Sequence, residues 1–167
     1  MVKLILVICV VLLCSILGIK KAKKFENREQ IIRESISLFK RVENDIKYTL
    51  NALPNAIEIA RQDFKTEFKD VLGNISVSLL DNSYTEETII YNVDELKSLK
   101  SYDKQILSNG LISLGKTDIE TQISLIDNTI NTLTEILYEA KDEKMKNTKL
   151  YRTIGLVAGM MIAIVII

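Results

Sequence analysis

Residues 106–122 read ILSNGLISLGKTDIETQ, and inside them GLISLGKT, Gly110 to Thr117, matches letter for letter the phosphate-binding pattern G-x-x-x-x-G-K-[ST]. The fold turns on how this is read. A phosphate loop sits between a buried strand and a helix, and so implies an α/β domain; a joint between two helices implies an all-helical one. A phosphate loop wraps its amides around the anion, which calls for small residues free to adopt unusual backbone angles. This one would hold Leu111, Ile112 and Leu114. Those residues continue the spacing begun at Ile106 and Leu107, so the segment reads as helix, and Gly115 fits the left-handed position that ends one. Thr117, with Glu120 three residues on, makes a capping box that opens the next helix. No apolar strand ending in Asp is present to hold magnesium. The stretch is a helix–helix joint, Lys116 is a solvated lysine at the turn, and no nucleotide cofactor is expected.

Helical spacing extends in both directions from the joint. Downstream, Ile119, Ile123, Ile126, Ile130, Leu133, Leu137 and Ala140 alternate steps of four and three, a coiled-coil-like seam. It reads as bundle core, with a homo-oligomer seam as the alternative. Upstream, Phe25, Ile32, Phe39, Ile46 and Leu53 recur every seven residues, with Ile36, Val42 and Leu50 on the same side. The two long helices, over 20–53 and 118–153, each come to roughly 50–54 Å at 1.5 Å per residue. Between them, Pro54 opens a helix bearing Ile57, Ala60, Phe64, Phe68, Val71 and Leu72, which Gly73-Asn74 interrupts. ISVSL, 75–79, has no strand partner and reads as helix or loop. Asn82-Ser83 is a turn, and Ser83 with Glu86 forms a capping box before a helix bearing Ile89, Val93 and Leu96. A further helix carries Tyr102, Ile106 and Leu107 into the joint.

The chain ends are apolar. Residues 4–19, LILVICVVLLCSILGI, lie between Lys3 and the run KKAKK, and no pair of small residues in 13–22 offers a signal-peptide cleavage site. A retained transmembrane helix over 1–19 is expected. The other end, IGLVAGMMIAIVII over 154–167, spans roughly 21 Å and crosses a core near 30 Å only if Leu150 and Tyr151 enter the interface and Arg152 snorkels. Lys20, Lys21, Lys23 and Lys24 follow the first run; Lys141, Lys144, Lys146, Lys149 and Arg152 precede the second. Basic flanks stay in the cytoplasm, so the middle, 20–153, is expected there and both termini outside a bacterial cell membrane. Since both long helices meet the same membrane face, they are antiparallel. The expected fold is all-α: an antiparallel cytoplasmic helical bundle flanked by N- and C-terminal transmembrane helices.

Composition narrows the chemistry. The 167 residues are 26% charged and 47% hydrophobic with a formal charge of zero, and they include no histidine. The commonest general base and metal ligand is therefore missing, and nothing singles out a carboxylate pair. Cys9 and Cys14 sit in the first apolar run as inert thiols. Neither a catalytic nor a metal site is expected, nor a nucleic-acid partner. The candidate site is a packing one: Gly155 and Gly159, with Ala163 four further on, make a small-residue stripe on one helix face. Its partner is either the Cys14/Gly18 face of the first helix or another subunit.

From Ile106 onward the chain resembles the stage III sporulation protein AB family. The residues that carry this are Ile106, Leu107, Leu114-Gly115, Thr117-Asp118, Gln122 and Ala140, and Lys149, Tyr151, Gly155 and Gly159 in KNTKLYRTIGLVAGMMIAIVII. Asp45, Ile46 and Tyr48 with Leu53 resemble the family's acidic-Ile-x-Tyr stretch. Ala52 stands where the family's proline is expected, with Pro54 two residues later, and Gly110-Leu111 replaces its aromatic-then-glycine pair. The resemblance implies a non-enzymatic membrane component of the channel joining mother cell and forespore, akin to the inner-membrane platform proteins of type II secretion and type IV pilus machines. It further implies other channel-complex membrane proteins and a separate secretion-type ATPase as partners. A membrane-tethered scaffold or sensor unrelated to transport is the alternative.

Overall fold

The computed structural model describes the backbone of residues 2–49, 53–81 and 85–166, and the side chains of 8–48, 53–81 and 85–164. Among the described residues there are six α-helices and no strand: α1 Val2–Asn44, α2 Leu53–Arg61, α3 Phe68–Leu80, α4 Glu86–Asp94, α5 Ser101–Ser113 and α6 Ile119–Ile166. A five-residue π-helical turn, Asp45–Thr49, follows α1. The chain divides into two compact units, Met1–Glu29 with Glu139–Ile167, and Gln30–Tyr138. The boundaries expected at 19/20 and 153/154 mark where charge begins; these mark where packing changes. Among the described residues no helix is long and apolar enough to cross a membrane. The described apolar stretch from Ile8 to Ile19 covers only roughly 18 Å.

Gln30–Tyr138 is built around the second half of α1. Ile31, Leu38 and Phe39 are fully enclosed, as are Phe68, Leu72, Ile89 and Leu96 on other elements. The sevenfold stripe accounts for Ile32 and Phe39 but not for Ile31 and Leu38, because this segment is buried on more than one side. Pro54 lies in the first turn of α2, where its missing N–H leaves nothing unpaired.

The helix break falls elsewhere than expected. Gly73 and Asn74 lie inside α3, and the chain leaves helix at 62–67 instead. There the buried Glu34 carboxylate accepts hydrogen bonds from the Lys65 amide (3.0 Å) and the Thr66 hydroxyl (2.5 Å). Thr66 Oγ1 in turn accepts from the Phe68 amide, at the start of α3. Side chains thus take over the backbone groups that a continuous helix would use. The helix tolerates Gly73 because Val71, Leu72 and Ile75 are anchored in the core, while a Cβ at this glycine would meet the Arg61 guanidinium at 3.3 Å. ISVSL is part of α3.

Two caps also shift. The hydroxyl of Thr85 caps α4, accepting from the Thr88 amide at 3.2 Å; the expected turn at Asn82-Ser83 lies outside the described residues, as does Leu50 of the α1 stripe. At the joint, α5 ends with Ser113, and Gly115 adopts φ +78°, the left-handed conformation that glycine takes without strain. The cap of α6 is Asp118 rather than Thr117: its Oδ2 accepts from the Thr121 amide at 3.0 Å. That bond, with a further one from the Thr121 hydroxyl, holds the Asp118 carboxyl below its ordinary range.

Candidate functional site

Gly110 to Ser113, the first half of the phosphate-loop pattern, lie within α5, where their amides serve the helix. Leu111 is buried, and the Ser113 hydroxyl donates to the Gly110 carbonyl at 2.7 Å. Lys116 is not merely solvated: its Nζ lies 2.5 Å from Glu86 Oε1. Gly110 has a packing reason of its own. A Cβ there would meet Phe39 Cζ at 2.7 Å and Thr129 Cγ2 at 2.8 Å, so the missing side chain lets α5 seat against the buried phenyl ring.

The sequence-predicted stripe lies in the other unit. Gly155, Gly159 and Ala163 are all buried. A Cβ on Gly155 would meet the Cys14 carbonyl oxygen at 2.8 Å and Gly18 Cα at 3.0 Å; one on Gly159 would meet Val11 Cα at 3.0 Å. Backbone lies against backbone, and the face opposite is the Cys14/Gly18 face of α1. Ala22, fully buried, continues the small-residue side of α1. The paired segments run antiparallel: Phe25 stacks on Tyr151 with ring centroids 5.6 Å apart, and Lys21 Nζ stands 5.4 Å from the Tyr151 centroid.

Beyond the aromatic pair the same two segments are cross-linked by charge. Arg152 meets Glu26 at 2.8 Å, Lys144 meets Glu29 at 3.2 Å, and Arg28 meets Glu143 at 2.7 Å and Glu139 at 3.6 Å. Arg28 and Glu29 are buried, at 3% and 4% exposure. Removing one partner of such a pair strands the other in low dielectric, which makes it a strict register pin. Nothing in the local sequence announces these partners; only the pairing of distant segments shows that Glu26, Glu29 and Arg28 are held. In the opposite direction from Lys20 and Arg152, toward the chain ends, the outward surface is apolar: Leu12, Leu13, Ile16 and Leu17 on α1, and Ile154, Met161 and Ile164 on α6, are exposed.

The two units also differ in charge. Met1–Glu29 with Glu139–Ile167 holds eleven Lys and Arg against five Asp and Glu, a net of +6; Gln30–Tyr138 holds eleven against seventeen, a net of −6. The overall zero conceals the split.

In the acidic-Ile-x-Tyr stretch, Asp45, Ile46 and Tyr48 fall on the π-helical turn, which leaves Tyr48 81% exposed. Such turns recur at functional positions, and nothing in the side-chain periodicity announces one. Lys47, beside Tyr48, hydrogen-bonds Glu43, which raises its pKa. Among the described residues no three His, Cys, Asp or Glu side chains are placed to hold a metal ion, and Cys9 and Cys14 are free thiols.

Comparison with known proteins finds no match among curated proteins or solved structures. The family model for stage III sporulation protein AB matches residues 3–167. With nearly every residue covered, including both apolar ends, the helical joint and the glycine-to-backbone seam, the chain belongs to the stage III sporulation protein AB family.

Proposed function

We propose that this sporulation protein is a non-enzymatic membrane platform of the channel complex between mother cell and forespore. On this reading its two apolar ends insert side by side, the charged middle of the chain stays in the mother-cell cytoplasm, and both termini lie outside. Family membership supplies the sporulation role; the observation that carries the membrane reading is the seam of Gly155 and Gly159 against α1. Two helices that meet backbone to backbone while exposing Leu, Ile and Met outward are suited to lipid, where burial of apolar side chains brings no gain and close backbone approach does. In sequence the apolar runs continue past the described side chains, through Leu4–Val7 at one end and Val165–Ile167 at the other. The net charge of −6 on Gln30–Tyr138 suits it to a partner with a basic surface.

The test is made in sporulating cells. A cysteine at exposed Ser124, with Cys9 and Cys14 replaced by serine, should react with a membrane-impermeant thiol reagent only after permeabilisation, and one appended after Ile167 should react beforehand. The tagged chain should co-purify with a secretion-type ATPase and other channel membrane proteins. Labelling of Ser124→Cys in intact cells would overturn the topology. ATP hydrolysis by the purified chain that disappears with Lys116→Ala would overturn the non-enzymatic role.

A further inference from the structure

We propose that Lys20, Lys23, Lys24 and Lys149 form a collar that holds anionic phospholipid headgroups; this rests on the reading that the chain ends insert in a membrane. All five acids of the unit are already engaged: Glu26 by Arg152, Glu29 by Lys144, Glu139 and Glu143 by Arg28, and Asp142 by Lys146. The four lysines are exposed and have no ion pair among the described residues. Lys20, Lys23 and Lys24 stand at i, i+3 and i+4, on one helix face, where like charges destabilise the helix unless something outside offsets them. Lys149 belongs to the same level, since Tyr151 lies between Gly18, whose Cβ would meet its carbonyl oxygen at 2.6 Å, and Phe25, on which it stacks.

The occupant follows from what adjoins the collar. On its side toward the chain ends lie the exposed apolar side chains Ile16, Leu17, Ile154 and Leu156; on the other lies the paired tier of Arg28 and Lys144. Unpaired cations between an apolar surface and a neutralised one match the phosphate level of a bilayer leaflet. Lysine suits this role as a flexible point charge on an apolar stem.

The experiment uses the full chain, reconstituted in vesicles of phosphatidylcholine with one quarter phosphatidylglycerol, then extracted in mild detergent and its retained lipid quantified. Wild type should retain phosphatidylglycerol several-fold above the vesicle ratio, and rising salt should weaken that preference. The Lys→Gln change at all four positions should bring it to the vesicle ratio, a several-fold loss; Lys→Arg at all four should keep it. A wild-type ratio equal to that of the vesicle, or enrichment surviving in the Gln variant, overturns the collar. Flotation with pure phosphatidylcholine vesicles after an alkaline wash separates the two readings. A chain that floats there without enriching phosphatidylglycerol refutes only the collar, and one that does not float refutes membrane insertion and the collar with it.

Discussion

The two units solve the packing problem in opposite ways. In Gln30–Tyr138 the interior is made by bulk: Phe39, Phe68, Leu72, Ile89 and Leu96 are enclosed, and a missing side chain, at Gly110, exists to admit a phenyl ring. In Met1–Glu29 with Glu139–Ile167 the interior is made by absence. Gly18, Gly155 and Gly159 bring main chains together, and around them Leu13, Leu17, Ile154 and Met161 are exposed, away from the contact. On the proposed membrane reading, the difference is what two surroundings demand. In water, enclosing apolar area is the main gain, at about 25 cal/mol per Å²; in lipid that gain vanishes and close van der Waals contact remains.

The comparison breaks most readily at Phe39. Phe39→Ala should cost about 3–5 kcal/mol of stability, measured by chemical unfolding of the detergent-solubilised chain, because the ring is completely enclosed. Gly110→Ala should cost about 1–3 kcal/mol by overpacking, although alanine is ordinarily the better helix former by about 1 kcal/mol. Combined with Phe39→Ala, the alanine at 110 should cost less than alone, since the ring is gone and only the Thr129 methyl, 2.8 Å away, is left to yield. Additive losses would show that the glycine answers to the Thr129 methyl rather than to the ring.

At the seam the same substitution logic meets backbone instead of a ring. Gly155→Leu should weaken the pairing by about 1–3 kcal/mol, since neither the Cys14 carbonyl nor Gly18 Cα can swing aside. Hydrogen exchange should then quicken roughly tenfold or more at amides of 11–22, while the amides of α3 to α5 keep their protection. Gly159→Leu should act in the same direction. Equal loosening of both units would mean that they are not energetically distinct.

How far the residues alone reveal this architecture depends on the range of the interaction responsible. The joint at Gly115 is readable because it is local: apolar spacing stops, a glycine follows, and a capping residue comes within three positions. The expected cap is Thr117 and the observed one Asp118, a one-residue difference between two capping residue types of which Asp is the stronger. The break at 62–67 could not be read, since it depends on Glu34, about thirty residues away, while Gly73 looked like the breaker on propensity alone. Gly155 and Gly159 stand out as a stripe, but which backbone faces them is a question of pairing across more than 130 residues. The charge split was hidden for a related reason: the basic unit is assembled from the two ends of the chain, so no contiguous window displays it. Sequence periodicity reports on a residue's own helix, whereas the break at 62–67, the partner of the glycine stripe and the charge split each involve a second element.

The smallest effect concerns the point where α6 begins. The Asp118 carboxylate accepts from the Thr121 amide, and its pKa is lowered on folding. A carboxyl with a lowered folded-state pKa contributes stability in full above its ordinary value, near pH 4, and loses that contribution as pH falls through the lowered one. Asp118→Asn keeps a capping oxygen but cannot titrate, so at neutral pH it should unfold nearly with wild type, and its acid limb should be shallower. Asp118→Ala, with no cap, should be less stable than both at neutral pH and should converge toward wild type in acid. Unfolding followed by circular dichroism between neutral pH and about pH 3 checks this. Wild type and Asp118→Asn sharing one acid limb would show that the cap acts through its shape rather than its charge. In that case the position of the capping oxygen, not its charge, would launch the return helix after Gly115 and the buried Leu114.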